Sequence, residues 1–541
     1  MALMAGTLAA QNPSFTGVVN AASDIPPGFP NSGIAQGSIF VVYGSNLGPA
    51  NLVEVPALPL PTIAGLAGTS ITITVGSTVV TAPMIYTSAG QVAAIMPSTT
   101  PVGSGTLSLT FNGNTGATPI QVVASAFGIS TINYSGSGAA VVTLPNNSVV
   151  SYTNSAKPGD ELVMYGTGLG PLPAGQSDTE GATEGDLPTP VVVYVGNVEA
   201  LVLYHGRTPT ATGLDQINFV VPANTPLGCN IPVNVVNTGS STGISVPSNV
   251  PTISVAAADG DPCTDPTQIV PTVALGLSSI KVAFVGLKES ATLSLSGNPP
   301  TSSTSTSYKA KAGFFQFSQA QLASQFSGLN TEPTLGTCLT GTGALSSLGG
   351  SGGNPTATYL DGGTSVTLTP PSGSPIVVPA VSTGAYQTSN LTSTPSGTWG
   401  FSNGAGGASV GPINFSFPIP AQVTWTNEIS LSSGPPIDRT QGLLITWTGG
   451  DTNGYVDIAG QAQVGSGQNA FGVYFDCSAP TSAAQFMIPP AILLAMPTGA
   501  NAFAGIQVST VSFPGSVPAV SGFTAAVDSS EFQVEAPVIF K

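Results

Sequence analysis

Charge is scarce in this 541-residue sequence: 6% of the residues are Asp, Glu, Lys or Arg, against about 25% in an average soluble domain. Positive charge is scarcest, with 8 Lys and Arg against 24 Asp and Glu and a net charge of −16. No Lys or Arg precedes Lys157, and the only acids before it are Asp24 and Glu54. Nucleic acids and anionic membranes are recognised through basic surfaces. The composition therefore argues against both as partners.

The residues that catalytic and zinc sites need are also scarce. Histidine occurs once, as His205, and no CxxC pair is present. A histidine-rich metal site is impossible, a thiolate zinc site is not expected, and a Ser-His-Asp arrangement would depend on His205. We interpret His205 as a solvent-exposed residue at a strand end, and predict that the protein is not an enzyme.

Paired carboxylates are the remaining route to hydrolysis. The candidates in the C-terminal half are Asp361, Asp438, Asp451, Asp457 and Asp476. Nothing in their spacing places two of them at one bond, so an extracellular glycoside hydrolase is the most remote of the functional alternatives.

The N-terminus and the absence of long apolar runs bear on the compartment. Residues 1–10, MALMAGTLAA, resemble the apolar end of a signal peptide with small residues before Gln11, although the usual basic start is missing. A buried N-terminal strand is the alternative. No apolar run elsewhere reaches the roughly 18 residues of a membrane-spanning helix. We predict a secreted protein, located outside the cell or on its surface, without membrane insertion.

Cysteine usage agrees with export. The four cysteines are Cys229, Cys263, Cys338 and Cys477, and an even number in a secreted chain indicates two disulfides. The pairs Cys229–Cys263 and Cys338–Cys477 are preferred because each bridge then stays inside one predicted domain. Other pairings, and buried free thiols, remain open.

What the sequence does contain favours strands. Apolar residues make up 41% of the chain, in short Val-, Ile- and Phe-rich runs, and 67 Gly and 48 Pro break them up. Many short strands joined by turns are typical of this pattern, and no segment sustains a helical period. The predicted fold class is all-β.

An internal repeat organises the N-terminal half. Residues 37–49 (GSIFVVYGSNLGP) and 159–171 (GDELVMYGTGLGP) are identical at seven of thirteen positions. Downstream, Val75-Gly76 matches Val195-Gly196, residues 91–97 (QVAAIMP) match residues 216–222 (QINFVVP), and a Pro-x-Gly turn follows in both copies. Two domains of immunoglobulin-like size are expected.

These motifs carry a resemblance. The segment VVNAAS (18–23), the G-x-I-x-x-x-Y-G-x-x-L-G-P strand-turn and the Q-[IV]-x-x-x-[VM]-P strand resemble tandem domains of secreted acidobacterial, Solibacter-type proteins, a family without an assigned activity. That family is distantly similar to IPT/TIG immunoglobulin-like folds. The resemblance covers about residues 12–265 and implies export and an extracellular structural or binding role.

The predicted organisation has five parts. Residues 1–10 are a signal-peptide remnant, 11–135 and 136–265 are immunoglobulin-like repeats 1 and 2, 266–337 is a connecting region with a strand and a short helix, and 338–541 is an antiparallel β-sandwich, with a jelly roll as one form. The run NPPTSSTSTS at 298–307 is interpreted as a loop or linker.

Two kinds of binding site are considered. Trp399, Trp425, Trp447 and Tyr455 could stack on carbohydrate, but a sandwich core also needs tryptophan. Trp425 and Trp447 alternate with Thr and would share an inward face if their strands pair.

Acidic clusters suggest calcium, which prefers oxygen ligands. The candidates are Asp259, Asp261 and Asp265 after the second repeat, and Asp178 and Glu180 in one loop. Solvated acidic loops are the alternative.

The functional prediction follows from these points. We expect a non-catalytic extracellular structural or adhesion protein that assembles with itself through exposed strand edges of its uncharged N-terminal domain. The alternative is a carbohydrate-binding secreted protein whose partners are glycans.

Overall fold

A computed structural model gives the structure of the protein. It describes residues 11–239, 246–268, 276–296, 301–318, 321, 332–344, 357–464, 471–498, 504–514, 520–528 and 530–541. The predicted signal-peptide remnant, residues 1–10, lies outside this range. Almost all regular structure is β-strand, which confirms the predicted all-β class. Among the described residues, no helix is long and apolar enough to cross a membrane.

The first domain is a sandwich of two five-stranded sheets, ordered β1-β3-β8-β7-β4 and β2-β10-β9-β5-β6. Its strands are β1 (Ser14–Asn20), β2 (Ile34–Ala35), β3 (Ile39–Ser45), β4 (Val53–Glu54), β5 (Thr69–Val75), β6 (Thr78–Thr81), β7 (Met84–Thr87), β8 (Gln91–Ile95), β9 (Gly103–Phe111) and β10 (Asn114–Val123). Burial alternates residue by residue along β5, with Ile71 and Ile73 facing the core. This alternation is what a strand covered on one face requires.

The second domain is built on one nine-stranded sheet that bends around its own core. Its strands are β11 (Gly128–Ile129), β12 (Val142–Thr143), β13 (Glu161–Thr167), β14 (Val191–Val195), β15 (Val198–Arg207), β16 (Asp215–Val220), β17 (Gly228–Asn237), β18 (Val246–Pro247) and β19 (Thr252–Val255). A register shift between Val202 and Tyr204 marks a bulge in β15, and bulges increase local bend and twist.

The sequence repeat is also a structural repeat. Strands β3 and β8 pair antiparallel, with Tyr43 opposite Gln91. Their counterparts β13 and β16 pair in the same register, with Tyr165 opposite Gln216. Gly76 and Gly196, matched in sequence, both have positive φ, at 59° and 57°, in the hairpins that follow β5 and β14. The two domains therefore share one pattern of strands and turns.

The C-terminal domain contains a fourteen-stranded sheet and a separate three-stranded sheet, β29-β30-β33. The strands are β20 (Ser279–Ser296), β21 (Thr301–Ser318), β22 (Thr337–Ala344), β23 (Thr358–Tyr359), β24 (Ser365–Thr369), β25 (Ile376–Ser382), β26 (Ala385–Thr388), β27 (Gly397–Ser402), β28 (Asn414–Ile419), β29 (Val423–Trp425), β30 (Leu443–Gly449), β31 (Gly454–Val464), β32 (Phe471–Pro480), β33 (Gln485–Ile488), β34 (Ala504–Ser512), β35 (Ala525–Asp528) and β36 (Glu531–Val538). The helices are α1 (Glu428–Ser433), α2 (Pro490–Leu493) and a 3₁₀ turn (Thr481–Ala483).

Two large cores stabilise this domain. One lies between β31, β32 and β34 of the large sheet and the three-stranded sheet, and contains Trp425 and Trp447. The other lies between the β20–β21 hairpin and β24 to β28, and contains Trp399. The sandwich prediction is confirmed at this level, but the pairing is not wholly antiparallel, because β20 runs parallel to β35 and β36.

Two predicted boundaries are wrong. The connecting region 266–337 contains β20 and β21, which pair with each other over their full 18-residue lengths and continue the large sheet through β36 and β26. The Ser- and Thr-rich run was mistaken for a linker because alternating polar residues also suit a strand with solvated faces. The boundary at residue 135 is also late, because β11 already pairs with β13 of the second domain.

Both preferred disulfides are present. Cys229 is bonded to Cys263 in the second domain and Cys338 to Cys477 in the C-terminal domain. Cys338 lies directly opposite Cys477 on β22 and β32. The second bridge closes the longer loop, with a sequence separation of 139 against 34, and a longer loop restricts the unfolded chain more.

The loop lengths predict unequal stabilisation. Replacing Cys338 and Cys477 with Ala should destabilise the C-terminal domain by about 2–4 kcal/mol. All three tryptophans lie in this domain, so urea unfolding followed by tryptophan fluorescence reports on it. The matched control replaces Cys229 and Cys263 with Ala. An equal or larger shift of the fluorescence transition in the control would contradict the unequal stabilisation.

Candidate functional site

Where β31 and β32 pair, the large sheet of the C-terminal domain has one apolar face and one face that carries acids. On β31, Val456 and Ile458 point into the core, and Asp457 between them points to the opposite face. On β32, Phe475 and Cys477 point into the core, so Asp476 and Ser478 share the face of Asp457. Ser478 is directly opposite Asp457 in the antiparallel pair. Regular strand alternation therefore places two acids next to each other.

A third acid completes the group. Carboxylate oxygens of Glu332, Asp457 and Asp476 all lie within 4.8 Å of one another. Glu332 precedes β22, and its side chain is partly buried, as is that of Asp476, whereas Asp457 is 9% exposed. One oxygen of each carboxylate is buried without a hydrogen-bond partner among the described residues. We call Glu332, Asp457 and Asp476 the acidic cluster.

Burial and mutual repulsion shift the titration of the acidic cluster. Burial raises the pKa of Asp457 well above its ordinary range, and the charge of Asp476 adds to the rise. Burial raises the pKa of Asp476. Burial also raises the pKa of Glu332 strongly, and the charges of Asp476 and Glu531 add to the rise. Each carboxyl is costly to ionise beside the others unless a cation neutralises it.

Glu531, a neighbouring acid on the same sheet, has an ion-pair partner. Glu531 pairs with Lys288 at 2.9 Å and accepts a hydrogen bond from Gln507, also at 2.9 Å. All eight Lys and Arg residues lie within the described ranges. Among those described residues, none forms an ion pair with the acidic cluster. The chain neutralises Glu531 from its own side chains and leaves the cluster without such a partner.

This arrangement permits two kinds of chemistry. Three converging carboxylates can hold a hard cation such as Ca²⁺, or neighbouring acids can share protons. A close carboxylate pair also occurs in glycoside hydrolases. A polysaccharide must reach both groups, however, and Asp457 is 9% exposed and Ser478 fully buried. The geometry therefore favours a small ion over a sugar chain.

The aromatic residues proposed for carbohydrate stacking are in the interior. Trp399, Trp425, Trp447 and Tyr455 are 0%, 6%, 2% and 1% exposed. Trp425 lies opposite Trp447 across β29 and β30, as their alternation with Thr predicts. Their indole N–H groups donate to Asn427 Oδ1 and to the carbonyl of Thr481. Rings this deeply buried are not available to a sugar, so these side chains are core residues.

The acids predicted for calcium are dispersed. Asp265 is buried beside the Cys229–Cys263 bridge, and its oxygens accept hydrogen bonds from Thr267 and Thr334. Asp178 accepts two hydrogen bonds from Ser98 at 2.7 Å.

The other three predicted acids, Asp259, Asp261 and Glu180, are exposed. Calcium binding by these residues stays a prediction.

The lone histidine is near a strand end but is not fully exposed. His205 lies two residues before the end of β15, is paired with Ile217 of β16, and is partly buried. The predicted strand end is confirmed, and the predicted solvent exposure is wrong.

A buried ion pair closes the joint between the first two domains. Arg207 and Asp215 are 1% and 0% exposed, and their side chains form an ion pair. The second terminal nitrogen of Arg207 donates to the carbonyl oxygens of Gly37, at 2.7 Å, and Gly170, at 2.9 Å. Gly37 belongs to the first domain and Gly170 to the second. One buried guanidinium therefore binds both.

Asp215 in turn supports the repeated turn of the second domain. Its Oδ2 atom accepts the N–H groups of Gly168 at 2.7 Å and Leu169 at 2.8 Å. Burial raises the pKa of Asp215, and Arg207 and these donors oppose the rise. At the position that aligns with Asp215, the first repeat has Gly90. Only the second repeat therefore has an acid at this position.

Further contacts extend the joint. Gly37 has a φ of 72°, and a Cβ there would lie 2.1 Å from the Arg207 guanidinium, so the position accepts no side chain. Asn20 donates to the carbonyl oxygens of Ala126 and Thr167, both at 3.0 Å. These hydrogen bonds, and those between Ser98 and Asp178, join the two domains at further points.

All three domains meet in one hydrophobic cluster. The larger C-terminal core includes Ile25 and Phe29 of the first domain and Val250 of the second. Val250 also forms a β-bridge with Thr340 of the C-terminal domain. Asn230 of the second domain donates to the carbonyl of Glu332 at 3.0 Å. The domains are packed against each other.

Comparisons with known proteins assign no family to this chain. No family model matches the chain, and no curated protein matches it. Among solved structures it is similar to the titin fragment I67–I69 (8% identity, 75% of this chain and 98% of that chain, TM-score 0.14) and to the mouse nectin-like molecule 4 ectodomain (7%, 71% and 95%, TM-score 0.15). It is also similar to the plexin A4 extracellular region, of which it covers 17% (12% identity, 43% of this chain, TM-score 0.16). At such TM-scores nothing is argued from them; the strands themselves define an all-β protein of tandem sandwich domains.

Sequence reasoning found part of the acidic cluster. Asp457 and Asp476 were considered as carboxylates but could not be placed together. The available signal was an acid flanked by core residues in each strand, VDI and FDC. Glu332 follows no strand pattern, and no sequence signal pointed to it.

Removing half of the buried ion pair should be costly. We expect Arg207→Met to destabilise the first two domains by about 3–5 kcal/mol, because Asp215 remains buried without its cation. Adding Asp215→Asn should recover part of the loss. Differential scanning calorimetry measures both. Lys157→Met, which removes the more exposed pair with Asp160, is the control and should change little. If the double variant is no more stable than Arg207→Met, the charge is not the cause.

Asp528 on β35 is a further buried acid, and it predicts that the stability of the protein depends on pH. Burial raises the pKa of Asp528 to about 7. Because the folded pKa exceeds the unfolded value, the folded state holds more protons between pH 4 and 7, so stability falls as pH rises through this window. We expect Asp528 to contribute a loss of about 2–4 kcal/mol between pH 4 and 8, measured by tryptophan-detected urea unfolding in EDTA.

The control for this effect is a pair of variants. Asp528→Asn should flatten the pH dependence in part, since the acidic cluster shifts in the same direction. Asp438→Asn should leave the pH dependence unchanged. Hydrogen bonds from Thr440 lower the pKa of Asp438, so this carboxyl is ionised in the folded and the unfolded state over the range in which Asp528 titrates. Stability that rises with pH from 5 to 8 would contradict the assignment.

Proposed function

We propose that this chain is a non-catalytic extracellular structural or adhesion protein whose tandem sandwiches act as one rigid unit. The observation that carries the proposal is the closed joint around Arg207 and Asp215, in which a buried ion pair bonds the backbones of two domains. A protein that transmits force or spaces other components needs domains that do not move independently. Domains joined through small polar interfaces move relative to each other by default.

The two disulfides support the extracellular part of this proposal. Both disulfides are formed between buried cysteines, and no described cysteine is free. Disulfides of this kind persist outside the cell and are rare in the cytosol of mesophiles. The resemblance of residues 12–265 to secreted tandem domains agrees with export.

The first domain supplies a surface for self-association. Strand β6 lies at the edge of its sheet and pairs with β5 alone among the described strands. Val79 on β6 is 62% exposed. Natural edge strands are usually protected by charge, by proline or by a covering element, and the first domain contains no Lys or Arg. We propose that β6 pairs with a strand edge of another copy.

Electron microscopy tests the assembly. The chain from Gln11 onward, expressed under oxidising conditions, should form regular filaments or sheets in negative stain. Val79→Lys should abolish them, because a charged residue on an edge strand opposes strand addition. The matched control is Leu201→Lys, at a similarly exposed position (65%) on β15, which has strands on both sides. A monomeric wild-type protein would contradict self-assembly.

Small-angle scattering tests rigidity separately. A rigid unit should give a single set of dimensions that does not change between low and high salt. Arg207→Met combined with Ser98→Ala should increase the maximum dimension and the flexibility of the scattering profile. Flexible scattering from the unmodified monomer would contradict a rigid unit, whatever the outcome of the microscopy.

A further inference from the structure

The acidic cluster consists only of hard oxygen donors. Glu332, Asp457 and Asp476 each offer a carboxylate oxygen, and these oxygens lie within 4.8 Å of one another. Two ligands of one Ca²⁺ ion, each at about 2.4 Å, can be at most about 4.8 Å apart. No histidine or thiol is near enough to be counted with them among the described residues. The spacing and the donor type both suit calcium.

A second observation is independent of the acids. Ser478 is fully buried, and its Oγ atom has no hydrogen-bond partner among the described residues. It lies directly opposite Asp457 and two residues from Asp476 on the same face of β32. Leaving a buried hydroxyl unsatisfied costs free energy. Because Ser478 shares the sheet face of Asp457 and Asp476, its hydroxyl is a further oxygen donor for a ligand of the acidic cluster.

The charge balance leads to the same conclusion. The neighbouring Glu531 is neutralised by Lys288. No Lys or Arg of the chain, all of which are described, pairs with the acidic cluster. Ionised carboxylates buried next to each other repel unless a cation lies between them. We propose that Glu332, Asp457 and Asp476 bind a calcium ion, with the Ser478 hydroxyl as a further ligand.

Calcium is favoured over magnesium by the setting. Magnesium requires near-ideal octahedral ligands at about 2.0–2.1 Å and usually keeps several waters. The acidic cluster combines two side chains from paired strands with one from the segment before β22. That irregular, partly buried set suits the flexible coordination of calcium, which extracellular modules bind at about 10⁻⁴ to 10⁻³ M.

The bound ion would connect separate parts of the fold. Asp457 and Asp476 are on adjacent strands, whereas Glu332 belongs to the segment that reaches β22. The carbonyl of Glu332 accepts a hydrogen bond from Asn230 of the second domain, and Thr334 donates to Asp265 there. The ion therefore holds the C-terminal sheet to the segment that contacts the second domain.

Calcium binding is tested with the full chain by isothermal titration calorimetry and by tryptophan-detected thermal unfolding. We expect saturable binding with a dissociation constant of about 10⁻⁴ to 10⁻³ M and a melting temperature that rises with calcium concentration. Magnesium should bind at least about tenfold more weakly. No calcium binding, or equal effects of both ions, would overturn the proposal.

Substitutions locate the site. Asp457→Asn, Asp476→Asn and Glu332→Gln should each weaken calcium binding at least about tenfold, and Ser478→Ala by a smaller factor. In EDTA the Asn and Gln variants should melt at or above the wild-type temperature, because each removes like-charge repulsion. If they instead melt lower by the same amount with and without calcium, the acids form a structural hydrogen-bond network and the proposal fails.

The matched control is the double variant Asp259→Asn/Asp261→Asn. Both acids are exposed and lie outside the acidic cluster, so the affinity of the acidic cluster for calcium should be unchanged. Loss of calcium binding in this control, with retention in Asp457→Asn, would overturn the proposal and place the ion at the acids after the second repeat.

Discussion

Neutralisation of buried charge is the constraint on which much of this structure depends. The chain has 24 acidic and 8 basic residues, and an unpaired charge in a protein interior is strongly unfavourable. Arg207 meets this constraint at Asp215, and in doing so it binds the backbones of two domains. Lys288 pairs with the more exposed Glu531. The acidic cluster has no ion-pair partner among the described residues, and the calcium ion proposed above satisfies the same requirement.

The tandem architecture shows how one strand pattern can be used in two settings. Both repeats pair their equivalent strands in the same register. The second repeat adds Asp215 where the first has Gly90, and so gains a polar group that can receive Arg207. The C-terminal core then incorporates Ile25, Phe29 and Val250 from the other two domains. Shared burial makes the domains interdependent.

Local sequence was sufficient for some features and insufficient for others. The alternation of Trp425 and Trp447 with Thr predicted a shared inward face, and the register of β29 and β30 confirms it. The run at 298–307 contains the same alternation without apolar residues, so it could not be distinguished from a linker. Only the pairing of residues 301–307 with β20 makes that part of the run a strand. His205 lies near the end of its strand, but it is partly buried and not fully exposed, which its local sequence does not show.

By itself the sequence determined the all-β class, the repeat and the scarcity of basic residues, since each depends on composition or on short-range periodicity. It favoured the two disulfide pairs, and the tertiary structure decided them. Tertiary structure decided what lies together. Asp457 and Asp476 lie on the adjacent strands β31 and β32, and Glu332 is more than a hundred residues away in the sequence, so only the strand order β22-β32-β31 brings the three acids to one site. The physical reason is that alternation fixes which face a side chain takes, whereas strand pairing over long distances fixes its neighbours.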